Sequence, residues 1–243
     1  MSRPPRFLIG DAVAEGFARI SGPELHHMRD VMRLGLGAEV TLMDANGVEY
    51  AGRINRFENA FAIVELAASR KRDGRGTAPL ILAAALIKGS RMDFLVEKAA
   101  ELGASALWPI LCARSVAKNP GAERVMRWRR LAEAAAKQSL APQVMEIRTP
   151  ISVADMAQNV PKETLAVVCS AGAEPLGPVL RRSRPRAIIL ACGPEGGFDD
   201  SEAAAMAAAG FVPAGLGRNR LRSETAVLAA LAIAAGTLDE KGS

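Results

Sequence analysis

Two glycine-containing segments in the last third of the chain carry residue types that bind small ligands. The first, Gly193-Pro194-Glu195-Gly196-Gly197, is called here the glycine loop; it follows the apolar run Ala187–Cys192 and precedes a helix predicted to begin near Asp200. Glycines at the carboxyl end of a buried strand let backbone N–H groups approach a ligand closely. A tight turn between a strand and a helix uses the same residues, so this loop alone leaves both interpretations open.

The spacing of the glycines argues against two common nucleotide sites. It does not follow the G-x-G-x-x-G pattern of dinucleotide-binding folds, and it lacks the Lys-Ser or Lys-Thr pair that ends a P-loop. A dinucleotide or a nucleoside triphosphate is therefore not the expected ligand of this loop.

The second segment is called here the arginine loop and follows a short strand predicted at Val212–Leu216. Its sequence is Leu216-Gly217-Arg218-Asn219-Arg220-Leu221-Arg222-Ser223-Glu224-Thr225. Three arginines and a helix N-terminus, with its N-cap predicted at Ser223, can hold an anionic group. An exposed basic loop before a capped helix is the alternative. Two such loops at the ends of neighbouring strands point to one shared ligand pocket.

The first seventy or so residues carry the alternating pattern of β-strands. Strands are predicted at Glu39–Asp44, Val48–Phe57 and Ala60–Leu66, a hairpin turn at Asn46-Gly47, and a short helix at Pro23–Met32. Asn-Gly between two such runs is a strong hairpin signal because both central positions favour positive φ. This pattern predicts a small β-barrel, and the charged, glycine-rich run 69–76 predicts a linker after it.

Beyond the linker, strand-like and helix-like runs alternate. The predicted strands are Leu80–Ile87, Ala106–Leu111, Leu165–Cys169, Ala187–Cys192 and Val212–Leu216; the predicted helices are Met92–Leu102, Arg124–Leu140, Asp200–Ala209 and Ser223–Ala235. Continuous apolar strands between helices predict a mostly parallel α/β sheet. Trp128 is expected to pack its helix against the domain. The charge-free run Val227–Ala235 is expected to be buried in the core or against a partner subunit.

The charge distribution favours a polyanionic partner, and it is uneven. Residues 77–150 hold 11 Lys and Arg against 6 Asp and Glu, whereas residues 1–76 hold 11 against 10 and residues 151–243 hold 9 against 10. A localised basic surface binds phosphates with release of counterions. A solvated basic helix would give the same surplus, so charge alone does not identify the partner.

Several classes of protein are disfavoured by what the chain lacks. The longest apolar runs, Leu80–Ile87 and Ala226–Ala235, are too short for a bilayer span, and no N-terminal export signal is recognisable. Three isolated cysteines indicate reduced thiols of a cytoplasmic protein. The sequence contains no cluster of cysteines and histidines, so no protein-bound metal is expected.

The two loops also resemble those of a known enzyme class. Gly193–Phe198, followed by a Leu-Gly…Leu-Arg-x-Glu-Thr-Ala segment, resembles the SPOUT methyltransferases, and within them the 16S ribosomal RNA uracil-N3 methyltransferase family. The stretches that agree further are Arg6-Phe7, His26–Arg33, Lys88–Asp93, Glu97–Gly103 and Glu133–Ser139. Two positions depart from the family pattern: Asn219 replaces the usual arginine, with Arg220 one position later, and Leu140-Ala141 replace the usual Gly-Arg.

This resemblance implies a two-domain methyltransferase. Residues 1–72 would form a PUA-like RNA-binding β-barrel and residues 77–243 an α/β domain with a C-terminal trefoil knot. Knots are almost absent from proteins, and nothing in the periodicity predicts one. The resemblance further implies S-adenosyl-L-methionine as cofactor, 16S ribosomal RNA of the small subunit as substrate, a homodimer that shares its active sites, and no metal.

The family's site residues carry over by position. Those for the cofactor are Cys169, Ser170, Gly193, Pro194, Glu195, Gly196, Gly197, Leu216, Gly217, Leu221, Arg222, Ser223 and Thr225. Those for RNA are Arg3, Arg6, His27, Arg29, Arg33, Lys88, Arg91 and Gln138. The catalytic candidates are Arg222, Glu224 and Arg91.

Methylation of uridine N3 requires loss of the imide proton, so the site must supply a base or a cation that stabilises the anion. Glu224 and Glu195 are the candidate bases, and Arg91, Lys88 and Arg222 are the candidate anion stabilisers. An ion pair between Arg222 and Glu224 that only shapes the loop is an equal alternative. Two other functions stay open: methylation of another RNA position by a SPOUT enzyme, and RNA binding without catalysis.

Overall fold

The chain forms two compact units. The computed structural model describes residues 4–10, 13–14, 16–44, 48–71, 78–117, 119–139, 141, 143–183 and 185–242. One unit comprises Met1–Arg75 and Leu140–Val144, and the other comprises Gly76–Ser139 and Met145–Ser243. Leu140–Val144, which the expected domain division assigns to the second domain, therefore groups with the first.

The first unit is a five-stranded sheet with one short helix. Its elements are β1 (Arg6–Leu8), β2 (Phe17–Ser21), α1 (Gly22–His26), a π-helical turn (His27–Val31), β3 (Glu39–Met43), β4 (Val48–Phe57) and β5 (Phe61–Lys71). The strand order is β1-β3-β4-β5-β2, in which only β1 and β3 run parallel. Alternate side chains such as Ile20, Leu42 and Val64 enter one core because successive residues of a strand point to opposite faces.

One expectation for this unit is wrong, and another is confirmed with a change of helix type. Residues 69–71, predicted to begin the linker, extend β5 and pair with Val48–Tyr50 of β4. Backbone pairing needs no apolar side chains, so the charged composition concealed the strand. The helix predicted at Pro23–Met32 is confirmed: the segment is α-helical over Gly22–His26 and π-helical over His27–Val31. The Asn46-Gly47 turn and residues 72–76 of the linker lie outside the described residues.

The second unit is a parallel α/β sheet, as the alternating pattern predicts. Its strands are β6 (Leu80–Ala85), β7 (Ala106–Leu111), β8 (Glu146–Ile147), β9 (Ile151–Ser152), β10 (Thr164–Cys169), β11 (Ala187–Cys192) and β12 (Val212–Ala214). Its helices are α2 (Ser90–Glu101), α3 (Ala122–Ser139), α4 (Val153–Gln158), α5 (Leu176–Arg181), α6 (Asp200–Ala208) and α7 (Ser223–Gly242). The order is β12-β10-β11-β6-β7-β8, β9 also pairs with β7, and every pairing in this sheet is parallel.

Helices cover both faces of this sheet. Met156 of α4 and Met206 of α6 join a core cluster with Trp108 and Ile189 on one face. On the other face α7 packs on β6, β11, α2 and α5. All six residues of β6 are buried, which explains its continuous apolar run.

The packing expected for two helices is confirmed within this unit. Trp128 is 1% exposed, and its indole N–H donates to Asp93 Oδ1 at 3.1 Å, so it fastens α3 to α2. Val227, Ala230, Leu231 and Ala234 make one face of α7 part of the core. Of the two places expected for this run, the core or a partner subunit, the core therefore accounts for these four residues.

Helix ends agree with their sequence signals except at α7. Gly103 and Gly210 follow α2 and α6 with φ of 85° and 82°, a backbone conformation that glycine adopts without strain. The predicted N-cap at Ser223 is wrong by one position. Ala226 N–H donates to the Arg222 carbonyl at 2.8 Å, so Arg222 occupies the N-cap and Ser223 begins the helix. None of the helices in the described ranges is long and apolar enough to cross a membrane.

Candidate active site

The predicted ligand loops lie at the carboxyl edge of the parallel sheet. The glycine loop follows β11, the arginine loop follows β12, and Ser170 follows β10. In the sheet, β10 lies between β12 and β11. Ser170 N–H donates to the Ala214 carbonyl at 2.9 Å, and Gly215 N–H donates to the Glu174 carbonyl at 2.7 Å. The segments after β10 and β12 are therefore held directly against each other.

The glycine loop is a closed turn that leads into α6. Gly197 N–H donates to the Pro194 carbonyl at 2.9 Å, and Gly197 has φ of 73°. A Cβ atom at Gly193 would lie 3.1 Å from the Phe198 ring, so a larger residue there displaces that ring. Asp199 then caps α6 in a capping box with Glu202; the Glu202 backbone N–H and the Ser201 hydroxyl lower the pKa of the Asp199 carboxyl.

Arginines bind the carbonyl groups of the glycine loop. Arg220 Nη2 donates to the Glu195 carbonyl at 2.8 Å, which joins the arginine loop to the glycine loop. Arg114 Nη1 donates to the carbonyls of Gly196 and Phe198, both at 3.2 Å. Arg114 is not among the residues predicted from the sequence, although its position just after β7 places it at the same carboxyl edge as the glycine loop.

Arg91 connects three elements of the site. Its Nη1 lies 3.2 Å from Glu195 Oε1 in the glycine loop and 3.5 Å from Glu224 Oε2 at the start of α7. The Glu224 side chain is only 11% exposed, and its Oε2 is buried without a hydrogen bond. The alternative ion pair between Arg222 and Glu224 is absent from the described residues, where Glu224 pairs with Arg91 and Arg222 is exposed.

The other predicted cofactor residues of the arginine loop differ in exposure. Ser223 is buried, Leu216 and Leu221 are half-buried, and Gly217 and Thr225 are exposed. Gly217 has φ of 121°, and no atom lies within 4 Å of the position a Cβ would take there. Space for a ligand therefore borders this loop. Exposed Lys88, which follows β6, is at the same edge.

Two buried cysteines near the site, Cys112 and Cys192, are held as thiols. Cys169 and Cys192 end neighbouring strands, and the hydrogen bond between them, followed by burial, raises the pKa of the Cys192 thiol. Burial is also the main cause that raises the pKa of Cys112 to about 12. Such groups are packing residues rather than nucleophiles, because only the thiolate is reactive.

We therefore expect Cys112 to resist thiol reagents in the folded protein. Near pH 8, about one Cys112 side chain in ten thousand is ionised, given its pKa of about 12. Ellman's reagent followed by peptide mass mapping should find Cys112 and Cys192 unmodified and half-buried Cys169 as the site of any reaction. The same protein unfolded in guanidinium chloride is the control. Rapid labelling of Cys112 in the folded protein would contradict this.

The predicted RNA-binding residues occupy different environments, and one of them requires a correction. Arg6 has a side chain that is 3% exposed, and its Nη2 lies 2.8 Å from Glu49 Oε1. Its guanidinium is inside the first unit, where it neutralises a carboxylate rather than reaching a phosphate. His27, Arg29 and Arg33 are exposed in that unit, and Gln138 is exposed on α3 of the second. Arg3 lies outside the described residues.

The exposed residues of the π-helical region have few fixed contacts. Arg29 Nε lies 3.1 Å from Asp30 Oδ1, and the His27 ring packs edge-on to Phe7 with 5.9 Å between centroids. Arg33 has φ of 52°, which is uncommon for a residue with a side chain. In the described part of the chain, no three His, Cys, Asp or Glu side chains cluster closely enough to hold a metal ion.

Two family models match the two parts of the chain. An RNA methyltransferase domain matches residues 75–235, and an RNA methyltransferase PUA domain matches residues 20–65. A Synechocystis protein named ribosomal RNA small subunit methyltransferase E is 32% identical over 91% of this chain and 74% of its own length. The chain belongs to the ribosomal RNA small subunit methyltransferase E family. A Bacillus subtilis member is 27% identical over 87% of each chain.

Solved structures agree with this family assignment. The ribosomal RNA small subunit methyltransferase E of Neisseria gonorrhoeae, bound to S-adenosyl methionine, has a TM-score of 0.84 and 29% identity and covers 95% of this chain and 96% of its own. A Legionella pneumophila putative methyltransferase in complex with the same cofactor has a TM-score of 0.82 and 26% identity, covering 96% and 97%. The α/β methyltransferase fold and the PUA-like first domain are thereby shown, as is the resemblance found in the sequence.

Proposed function

We propose that this chain is a cytoplasmic S-adenosyl-L-methionine-dependent methyltransferase that modifies N3 of a uridine in 16S ribosomal RNA. The observation that carries the proposal is the junction of the two loops: Arg220 of the arginine loop donates to the Glu195 carbonyl of the glycine loop at 2.8 Å. The family membership and the cofactor-bound relatives give this junction its interpretation as a methyl-donor site.

The residues at the junction fit such a cofactor. Within the described ranges, the N–H groups of Glu195 and Gly196 have no acceptor, so they can donate to a ligand. No atom lies within 4 Å of a Cβ placed at Gly197 or Gly217. The residues we assign to the cofactor are Cys169, Ser170, Gly193, Pro194, Glu195, Gly196, Gly197, Leu216, Gly217, Leu221, Arg222, Ser223 and Thr225. When bound, the cofactor supplies an electrophilic methyl group on a sulfonium centre.

We assign activation of the nucleophile, the uracil N3 atom, to the cationic side chains of the site. Arg91 already engages Glu195 and Glu224, whereas exposed Arg222 and Lys88 form no ion pair within the described part of the chain. Arg222 and Lys88 are therefore the groups that stabilise negative charge on the uracil ring as its N3 proton passes to Glu195, the more exposed of the two candidate bases. The pair of Arg91 and Glu224 fixes the two loops relative to α2, so the chain contributes positioning as well as charge.

The fold proposed for this function includes a C-terminal trefoil knot and a closed barrel in the PUA-like unit. The knot is supported by the close approach of Gly215 to the segment after β10, where a Cβ at Gly215 would lie 2.7 Å from the Ala173 carbonyl oxygen. A homodimer that shares its active sites belongs to the same proposal. His27, Arg29, Arg33, Lys88, Arg91 and Gln138 are the proposed RNA contacts.

Two measurements test this function. Calorimetry with S-adenosyl-L-methionine should show binding to the purified protein. Small ribosomal subunits from a strain lacking the gene should gain one methyl group when they are incubated with the protein and this cofactor. Mass mapping of the RNA should place that group on uridine N3. A methyl group on another nucleotide atom would replace the N3 assignment, and a folded protein that binds RNA without binding the cofactor would exclude catalysis.

A further inference from the structure

We propose that Arg114 is a positioning residue that sets the orientation of the glycine loop for the methyl donor. This inference rests on the proposed function. Arg114 follows β7, two strands away from β11 in the sheet, and its guanidinium donates to the Gly196 and Phe198 carbonyls at 3.2 Å each. One side chain from outside the loop therefore fixes one peptide group of the loop, Gly196–Gly197, and a second one just after it, Phe198–Asp199.

A peptide group fixed at its carbonyl is also fixed at its N–H, because the unit is planar and trans and the two groups point in opposite directions. The Gly196 carbonyl accepts from Arg114, and the N–H of the same peptide, that of Gly197, donates to Pro194 at 2.9 Å. The Phe198 carbonyl also accepts from Arg114, and the Asp199 N–H donates to Glu202 Oε2 at 2.9 Å. Both peptides held by Arg114 thus have both polar groups occupied.

The adjacent peptides leave their donors free. The Glu195 carbonyl accepts from Arg220 at 2.8 Å, yet the N–H of that peptide, on Gly196, has no acceptor among the described residues. The Pro194 carbonyl accepts from Gly197, and the Glu195 N–H likewise has no acceptor in the described ranges. With their carbonyls occupied, the peptides that carry the N–H groups of Glu195 and Gly196 leave these two donors for a ligand.

The surroundings of Arg114 favour this position. A Cβ at Gly196 would lie 3.3 Å from Arg114 Cβ, so the glycine permits close approach of the arginine stem. One residue earlier, Ala113 N–H donates to Glu202 Oε1 at 2.7 Å, which ties the same segment to the capping box of α6. The nearby Asp199 carboxylate complements the charge, and Arg114 in turn lowers the pKa of Asp199 as a minor contribution after the hydrogen bonds.

The consequence is a loop whose donors are oriented before the ligand arrives. A loop that is held in its binding conformation loses little conformational freedom when the ligand binds. It therefore binds the ligand more tightly than a loop that must first become ordered. Loss of Arg114 should therefore weaken binding of the methyl donor more than it slows the reaction at saturating donor. A purely structural role would instead lower the amount of folded protein and leave the affinity of that folded protein unchanged.

The test compares Arg114→Ala, Arg114→Lys and Arg186→Ala in the full-length protein. Arg186 is an exposed arginine paired with Glu163 at the opposite, amino-terminal edge of the same strands, which makes it the matched control. Calorimetry should show S-adenosyl-L-methionine binding about tenfold weaker for Arg114→Ala, partial recovery for Arg114→Lys, and no change for Arg186→Ala. Hydrogen exchange should accelerate at Gly197 and Asp199 in Arg114→Ala while the strands stay protected.

The outcomes separate this inference from the proposed function. A wild-type protein that does not bind the donor overturns both. Wild-type binding with unchanged affinity in folded Arg114→Ala overturns the role of Arg114 alone. A lower kcat with an unchanged KM for the donor also overturns the positioning role. That result would place Arg114 in the chemical step and not in the orientation of the loop.

Discussion

Replacing Arg91 with alanine is expected to lower kcat/KM for RNA methylation by about a hundredfold. The guanidinium lies between Glu195 of the glycine loop and Glu224 of α7, at 3.2 Å and 3.5 Å. Without it, two carboxylates share one edge of the site with no cation between them, and Glu224 Oε2 stays buried without a hydrogen bond. The loops then separate, and the groups that act on the nucleotide lose their alignment.

The same substitution should lower the free energy of unfolding by about 1–2 kcal/mol. This is less than the cost of breaking a fully buried ion pair, because the Arg91 side chain is 43% exposed and water can solvate part of the lost charge. Urea unfolding of the wild type and Arg91→Ala measures the difference, and initial rates at saturating cofactor measure the loss of activity.

Glu224→Gln provides the control for the electrostatic explanation. If Arg91 acts by neutralising Glu224, the double variant should regain part of the stability that Arg91→Ala loses, since no buried carboxylate remains. Arg91→Lys should retain more activity than Arg91→Ala because it keeps the charge. Equal losses in the single and the double variant would contradict this role of Arg91.

Local patterns in the sequence predicted those parts of the fold that depend on nearby residues. The bounds of β7 and β11 agree with the predicted runs because each strand is one continuous apolar segment. The short elements α4, α5, β8 and β9 were not predicted. Strands of two residues and helices of six are too short to show a period, so only the surrounding sheet specifies them.

The candidate site divides in the same way. Glycines followed by a capped helix identified the glycine loop, but its stabilising partners are distant in sequence: Arg114 is separated from Gly196 by 82 residues and Arg91 from Glu195 by 104. These contacts depend on the strand order β11-β6-β7, which no local pattern contains. The Arg222–Glu224 alternative arose because neighbours in sequence were the only partners that the sequence could offer.

Gly215→Ala adds one methyl group, and we expect this methyl group to disrupt the fold of the site. A Cβ at this position would lie 2.7 Å from the Ala173 carbonyl oxygen, a backbone atom that a hydrogen-bonded segment holds in place. Relieving that overlap must separate the segments after β10 and β12, with loss of the Gly215 N–H bond to Glu174. We expect a decrease of about 2–3 kcal/mol in the free energy of unfolding and weaker cofactor binding.

Gly236→Ala is the matched control for this prediction. Gly236 lies within α7, and no atom lies within 4 Å of the position of its added Cβ. Alanine is the better helix former, so this variant should gain about 0.5–1 kcal/mol and bind the cofactor like the wild type. Urea unfolding measures the stability of both variants, and calorimetry measures their affinity for the cofactor. One variant adds a methyl group against a backbone oxygen, and the other adds it in open space. A Gly215→Ala protein as stable as Gly236→Ala would show that the two segments can separate without cost, and would remove the close approach at Gly215 as support for a knotted chain.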